Sequence, residues 1–397
     1  MTVPAALPTH DDSGPTIGVI ANPVSARDIR RIVANAGNLQ ITDRVNIVLR
    51  LLAGAAAGGV KRAVLMPDRG GIRVLLERHL RRERESRLSA AQTAVYPAIE
   101  FLDMEPTSTV ADTFLATRLL RRRGVAAIVV LGGDGTHRAV VRELVLGEAG
   151  RELPPIAGLS TGTNNAFPEL REPTITGLAV GLYAAGRVPA EAVRQPNKLI
   201  EVALEPRPGS GSSAAPQRDI AIVDAVVTRE HSIGARALWK AESLDSAYLA
   251  FADPQAIGLS AIGGLLQPVG RREAGGLAVQ IAADARHALL DLQAPIAPGL
   301  VRPVPIAGWQ RMVAGEPLTV ALRSGTVALD GERELPFDAG TQVRMTLREA
   351  AFFTIDVARC MALAAQEGAL RRAPPAAPQS LCADRPRADP DGVAPTP

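Results

Sequence analysis

Val125 to Arg138 reads VAAIVVLGGDGTHR, and this stretch decides the fold. Val125 to Leu131 is a continuous apolar run, which fits a strand buried on both faces of a parallel sheet. Gly132, Gly133, Asp134, Gly135 and Thr136 interrupt it, and His137 to Leu146 reads as a helix. A strand ending in glycines at a helix start is an anion site. Glycine lets a ligand approach the backbone, and the helix N-terminus offers unpaired N–H groups and a positive dipole. An acid in that loop repels phosphate unless a cation lies between them. Asp134 therefore reads as a Mg²⁺ partner or as a base beside a phosphate chain. A Gly-rich turn with Asp134 as a helix cap is the competing account. The helix dipole disfavours protonation of His137, which leaves a neutral phosphate donor or a surface residue.

Working outward, residues 1–15 read as a loose lead-in. Thr16 to Ala21 reads as a strand, Asn22 to Ser25 as a loop, and a helix begins at Arg27. Thr42 to Gly58 has apolar residues at helical spacing, with Thr42 as the expected cap. Arg62 to Met66 is a strand, Gly71 to Ser86 a helix, and Ala98 to Asp103 a strand. Thr107 to Gly124 is a helix capped by Thr107 or Ser108, Pro155 to Gly158 a strand, and Thr174 to Gly186 a helix. This alternation predicts a doubly wound parallel sheet over 16–186. Its ligands belong at the carboxyl ends of the strands, where Asn22, Asp134 and Thr161 fall.

After Arg187 strands predominate, at 198–204, 219–229, 276–282, 318–323, 326–329 and 342–347. Residues 187–350 read as a second, mostly antiparallel β domain, with 206–216 as a flexible hairpin insertion. A final strand and helix, 351–370, is expected to return to the first domain. Residues 371–397 read as a disordered tail.

Composition narrows the function classes. The net charge of +3 is small for 397 residues, and the mixed-sign run Arg78 to Arg87 reads as a solvated helix end. With aromatics at 3%, stacking platforms for bases are scarce, so no nucleic-acid partner is expected. No apolar run approaches the roughly 20 residues of a membrane span, so no membrane role is expected. Two cysteines, Cys360 and Cys382, and an N-terminus without a secretory pattern fit a reducing cytoplasm. The histidines lack metal-ligand spacing. Lysines occur only at 61, 198 and 240, and no GxxxxGK[ST] loop is present. Arg, Mg²⁺ and backbone N–H groups must then meet any phosphate charge.

GGDGT resembles the signature of the superfamily of NAD kinases, diacylglycerol and sphingosine kinases and phosphofructokinases. With IGVIANPVSARDIRR at 17–31 and GLSTGTNNAFP at 158–168, the chain most resembles the AcoX branch of the ATP-NAD kinase family, over roughly Thr16 to Gly368. That branch is named for an association with acetoin catabolism. The resemblance implies an ATP-dependent kinase acting with Mg²⁺ on a hydroxyl of a small-molecule or nucleotide acceptor.

In the resemblance Asp134 is catalytic and holds the metal. Asn22, Gly132, Gly133, Gly135, Thr136, Thr161, Gly162, Thr163 and Asn164 frame the nucleotide, and Phe167 packs near a base. Asn165, Asp224, Ser260, Gly263 and Gly264 face the acceptor. Structural accounts stand beside several of these. Asn22 is a turn former before Pro23, 161–165 form a polar turn, and Asp224 pairs with an arginine such as Arg229. Gly263 and Gly264 mark a bulge. Asp330 and Gly331 of VALDGERE read first as a hairpin turn, with Glu332 as a second acid in the cleft. Val223 stands where NAD kinases carry an Asn that contacts NAD, which argues against NAD as the acceptor. The rivals are a lipid or small-alcohol kinase and a non-catalytic nucleotide sensor or accessory protein. The donor, ATP or polyphosphate, and the oligomeric state stay open, although the kinases it resembles commonly form dimers or tetramers, making a homo-oligomer a candidate.

Overall fold

The computed structural model describes residues 14–23, 39–90, 95–147, 152–161, 165–210, 215–230, 243–297, 299–331 and 333–371. The expected helix at Arg27, Gly162, Thr163, Asn164, Glu332, the tip of the 206–216 insertion, residues 1–13 and the tail from 372 lie outside them.

The strands are β1 Thr16–Ala21, β2 Arg62–Leu65, β3 Ala98–Phe101, β4 Ile128–Gly132, β5 Ile156–Ser160, β6 Arg194–Pro206, β7 Gln217–Ala221 and β8 Asp224–Thr228. They continue as β9 Leu244–Leu249, β10 Gly276–Ile281, β11 Leu290–Ala297, β12 Leu300–Met312, β13 Pro317–Thr319, β14 Gly325–Leu329, β15 Arg333–Phe337 and β16 Thr341–Ile355. The helices are α1 Ile41–Gly58, α2 Ile72–Ala90, α3 Val110–Arg122, α4 Asp134–Leu146, α5 Pro173–Ala184, α6 Ala190–Val193, α7 Leu259–Leu266 and α8 Val357–Gln366.

Two sheets result. The first runs β3-β2-β1-β4-β5-β16-β6-β7, with β13 paired to β16. Its first five strands are parallel, as buried apolar runs joined by helices require. The second runs β11-β12-β10-β9-β8-β14-β15 and is antiparallel throughout. The architecture is thus a parallel-sheet α/β unit with a separate antiparallel sheet. The strand pattern after 187 divides between the sheets: β6, β7 and β16 extend the first one. Helix α8 packs back on α5, where Cys360 Sγ lies 3.4 Å from the Ala179 carbonyl.

Helix starts differ from expectation for local reasons. The Gln40 N–H donates to the Asp43 carboxylate, so Gln40 and not Thr42 caps α1. Thr109 caps α3, because the Asp112 carboxylate takes the amides of Thr107 and Ser108 and holds them outside the helix. Helix α4 begins at Asp134, three residues before His137. Helices α1 and α5 touch through glycines. A Cβ on Gly177 would stand 2.0 Å from the Leu51 carbonyl oxygen, and one on Gly54 2.2 Å from that of Thr174. Only hydrogen fits where the two backbones meet.

Candidate functional site

The carboxyl ends of β1, β4 and β5 bring Asn22, the glycine bend and Ser160–Thr161 together. Gly133 caps α4, and Asp134, Gly135 and Thr136 form its first turn. The first amides of a helix have no partner within it, so this end has N–H groups to give. A Cβ on Gly132 would crowd the Thr136 side chain at 2.6 Å, and one on Gly133 would sit 3.1 Å from Asn165 Oδ1. The bend is a close-packed glycine turn. Asn22 Nδ2 donates to Thr136 Oγ1 at 3.2 Å, which ties the end of β1 to the bend. The buried Arg44 on α1 donates to the Asn22 carbonyl at 2.8 Å. The Thr161 amide donates to the Gly132 carbonyl at 3.3 Å, and Asn165 Nδ2 to Ser160 Oγ at 2.8 Å.

Asp134 does not cap its own helix. Its two oxygens accept the amides of Ala166 and Phe167, each at 2.9 Å. From the other side, Arg271 in the loop before β10 donates to the carbonyls of the same two residues. Two peptide units are therefore held between a carboxylate on α4 and a guanidinium next to the second sheet. The Arg271 guanidinium also stacks on Phe251 at 4.6 Å and Phe167 at 5.5 Å. Phe167 is buried between the rings of His137 and Phe352, so it belongs to the core and not to a base-binding surface.

His137 is fully buried, which removes both the surface reading and the phosphate-donor reading. Its Nδ1 lies 2.8 Å from the Gly133 carbonyl; a carbonyl only accepts, so Nδ1 carries the hydrogen. Burial pulls its pKa down to about 4, against the Gly133 and Val130 carbonyls, which favour the charged form. A Cβ on Gly158 would meet Nε2 at 2.8 Å, so a glycine is needed there.

Asp330 and Gly331, at φ 49° and 71°, form the turn between β14 and β15, as the hairpin reading expects. The buried Asp330 carboxylate accepts the amides of Ile222, Val223 and Asp224. Burial and the neighbouring Asp224 raise its pKa to about 8, with Arg138 and the amides opposing. Arg138, on α4, pairs with Asp219 of β7 at 3.2 Å, and its Nε lies 3.9 Å from Asp330. Val223 is buried and offers a ligand nothing. Arg229 pairs with Asp245 at 3.0 Å.

Ser260, Gly263 and Gly264 lie on helix α7, not on a strand bulge. A Cβ on Gly263 would meet Leu249 Cδ1 at 2.1 Å, and one on Gly264 the Asp253 backbone at 2.3 Å. Their space is filled by packing, and Ser260 is buried with them.

A cavity of about 470 Å³ adjoins this arrangement, bounded by residues 191–198, 271–274, 349–350, Asp356 and Arg359. Arg271 is common to the cavity and to the clamp on 166–167. Sequence reasoning missed Arg271, Arg44 and Arg138. Only Arg138, inside the quoted stretch, carried a local signal.

Among the described residues no group of three or more His, Cys, Asp or Glu gathers to hold a metal. Asp134 is a partly exposed carboxylate, fixed at the bend by two amides that leave lone pairs on both oxygens. That fits Mg²⁺, which commonly binds through one carboxylate, waters and substrate phosphates.

Residues 30–188 match the ATP-NAD kinase N-terminal domain, and residues 198–350 match the acetoin catabolism protein X C-terminal domain. The chain is 56% identical over 360 residues to acetoin catabolism protein X of Cupriavidus necator, covering 91% of this chain and 95% of that one. Among solved structures, it is similar to a candidate diacylglycerol kinase from Bacillus anthracis str. Sterne, at TM-score 0.40 and 12% identity. A diacylglycerol kinase from the same organism matches at TM-score 0.36 and 11% identity. Each covers 87% of this chain and 97% of the other. No helix among the described residues is long and apolar enough to cross a membrane.

Proposed function

Because the chain belongs to the acetoin catabolism protein X family and carries an ATP-NAD kinase N-terminal domain, we propose that it transfers the terminal phosphoryl group of ATP to a hydroxyl. The observation that carries this reading is the bend itself. Glycines end β4, helix α4 starts directly after them, and Asn22, just past β1, is bonded to Thr136 of its first turn. Such a turn gives backbone amides and a positive dipole to phosphate oxygens. Asp134 would hold Mg²⁺, whose chemistry is to neutralise phosphate charge. Gly132, Gly133, Gly135, Thr136, Asn22 and Thr161 would frame the nucleotide, with Gly162, Thr163 and Asn164 beyond Thr161. The resemblance would put Asn165 and Asp224 on the path between nucleotide and acceptor.

The acceptor oxygen forms a bond to the γ-phosphorus, the β–γ bridging P–O bond breaks, ADP leaves, and the hydroxyl proton passes to solvent or a carboxylate. The protein's work is positioning and charge neutralisation. Buried Val223 argues against NAD as the acceptor. The relative's name supports a link between this activity and acetoin catabolism. The protein acts as a kinase of the cytoplasm, with self-association as a further expectation.

The test is ADP release with ATP, Mg²⁺ and a panel of hydroxyl acceptors, in the wild type and in Asp134→Asn. Loss of one organising carboxylate should lower kcat by about 100-fold or more. Tight ATP binding with no turnover on any acceptor, and an unimpaired Asp134→Asn variant in the cell, would establish the nucleotide-sensor reading instead.

A further inference from the structure

We propose that the 470 Å³ cavity beside Arg271 is the acceptor subsite, and that it takes a small, non-nucleotide hydroxylated anion. The proposal rests on the phosphoryl-transfer reading above. Its volume falls in the range of small-molecule sites, enough for an anion of roughly three to six carbons. Its walls are charged and amide side chains with short aliphatic ones between them. Such walls can solvate a charged, hydrophilic ligand.

Most of the charge is already committed. Lys198 gives its ammonium to the carbonyls of Gly270, Glu273 and Gly275, at 3.0, 2.7 and 2.7 Å. Those bonds shape the loop that carries Arg271. Arg272 pairs with Asp356 at 2.7 Å, and Glu273 with Arg311 at 2.9 Å. Arg194 pairs with Glu152, yet its buried Nε has no hydrogen-bond partner among the described residues, and Arg271 and Arg359 keep more donors still. Arg271 has five N–H groups and spends two on the 166 and 167 carbonyls. Arg359 is exposed at the start of α8, and its guanidinium makes no ion pair among the described residues. Glu191 on the same wall can accept a ligand hydroxyl. The lining holds five cations, Arg194, Lys198, Arg271, Arg272 and Arg359, against four carboxylates, Glu191, Glu273, Glu349 and Asp356, and this small positive excess suits a ligand that carries an anionic group and hydroxyls.

Position adds the second argument. Arg271 grips the peptide units that Asp134 grips from the opposite side. An anion bound to Arg271 would therefore lie across a single stretch of backbone from the carboxylate of the glycine bend.

The experiment is calorimetric titration of the full-length protein, without ATP, with glycerate, glycerol 3-phosphate, glycerol and NAD. At least one of the two anions should bind, and uncharged glycerol should bind at least about tenfold more weakly. Arg359→Glu should weaken anion binding about tenfold, and Arg359→Lys should largely keep it. The exposed first turn of a helix tolerates Glu, and the unfolding midpoint checks that the variant folds. Glycerate distinguishes a carboxylate site from the phosphate site that glycerol 3-phosphate reports. Failure of both anions to bind, equal binding of glycerol, or no effect of Arg359→Glu would overturn the subsite. An anion that binds through Arg359 while no acceptor receives phosphate from ATP overturns phosphoryl transfer and leaves an anion site that is not an acceptor subsite. ATP-dependent phosphorylation of NAD that ignores Arg359→Glu does the reverse.

Discussion

His137 shows how one side chain can set acid sensitivity beside the glycine bend without touching a ligand. Its pKa is about 4 in the folded chain, below the ordinary value of 6.5, because burial penalises the imidazolium. Between pH 6.5 and 4 the unfolded chain therefore binds the extra proton first. Stability is complete above pH 6.5 and is lost as the pH falls toward 4, by roughly 3 kcal/mol from this group. The His137→Gln variant can still donate to the Gly133 carbonyl and has no proton to gain. Its urea-unfolding free energy at pH 4.5, relative to pH 7, should fall less than that of the wild type. Equal falls would show that His137 is not the group responsible. The same residue marks a limit of sequence reading. The dipole argument reached the neutral imidazole, but burial depends on Phe167 and Gly158 packing against His137. Nothing in GGDGTHR reports that.

At the scale of elements, β1 through β5 were readable because each is an apolar run cut by turn residues. The second half was less readable for stated reasons. Strand β12 contains Pro303 and Pro305, which cannot donate to a ladder and argue against a strand, yet it pairs with both β11 and β10. Strands β6 and β16 show two-residue alternation, which identifies a strand but not its sheet. Gly263 and Gly264 read in the sequence as a bulge, whereas α7 needs them for contact with Leu249 and Asp253. The site divides the same way: Asn22 and the bend follow from strand ends, while Arg271 arrives from a loop with no local signature. Glycines at element contacts give a contrast to test. Gly177 faces the Leu51 carbonyl at a virtual Cβ distance of 2.0 Å, and that carbonyl belongs to a helix backbone that cannot yield. Gly177→Ala should cost about 3 kcal/mol through overpacking. Gly186 has φ +63° but open space around it, so Gly186→Ala should cost about 1 kcal/mol from backbone strain alone. Denaturant midpoints at constant slope decide between them. Equal losses would mean that the α1–α5 contact is looser than described.

Across the whole molecule, the two sheets share one core, and this determines how the chain should unfold. A single buried cluster holds Ile20 and Val130 of the first sheet together with Ala225, Val327 and Leu335 of the second. Arg138 adds a charged tie, pairing with Asp219 on one sheet and approaching Asp330 on the other. Arg271 adds a third, from the loop before β10 to the 166–167 carbonyls. Melting either sheet alone would expose apolar surface on the other and leave buried charges without partners, a cost of several kcal/mol for each ion. Calorimetry should therefore record one transition in which the calorimetric and van't Hoff enthalpies agree. Arg271→Ala removes two carbonyl bonds and two ring contacts, and should lower stability by about 2 kcal/mol while leaving the transition single. Two resolved transitions in the wild type would mean that the shared core does not couple the sheets. Two transitions in Arg271→Ala alone would assign the coupling to that one guanidinium, and so to the same contact that joins the glycine bend to the cavity.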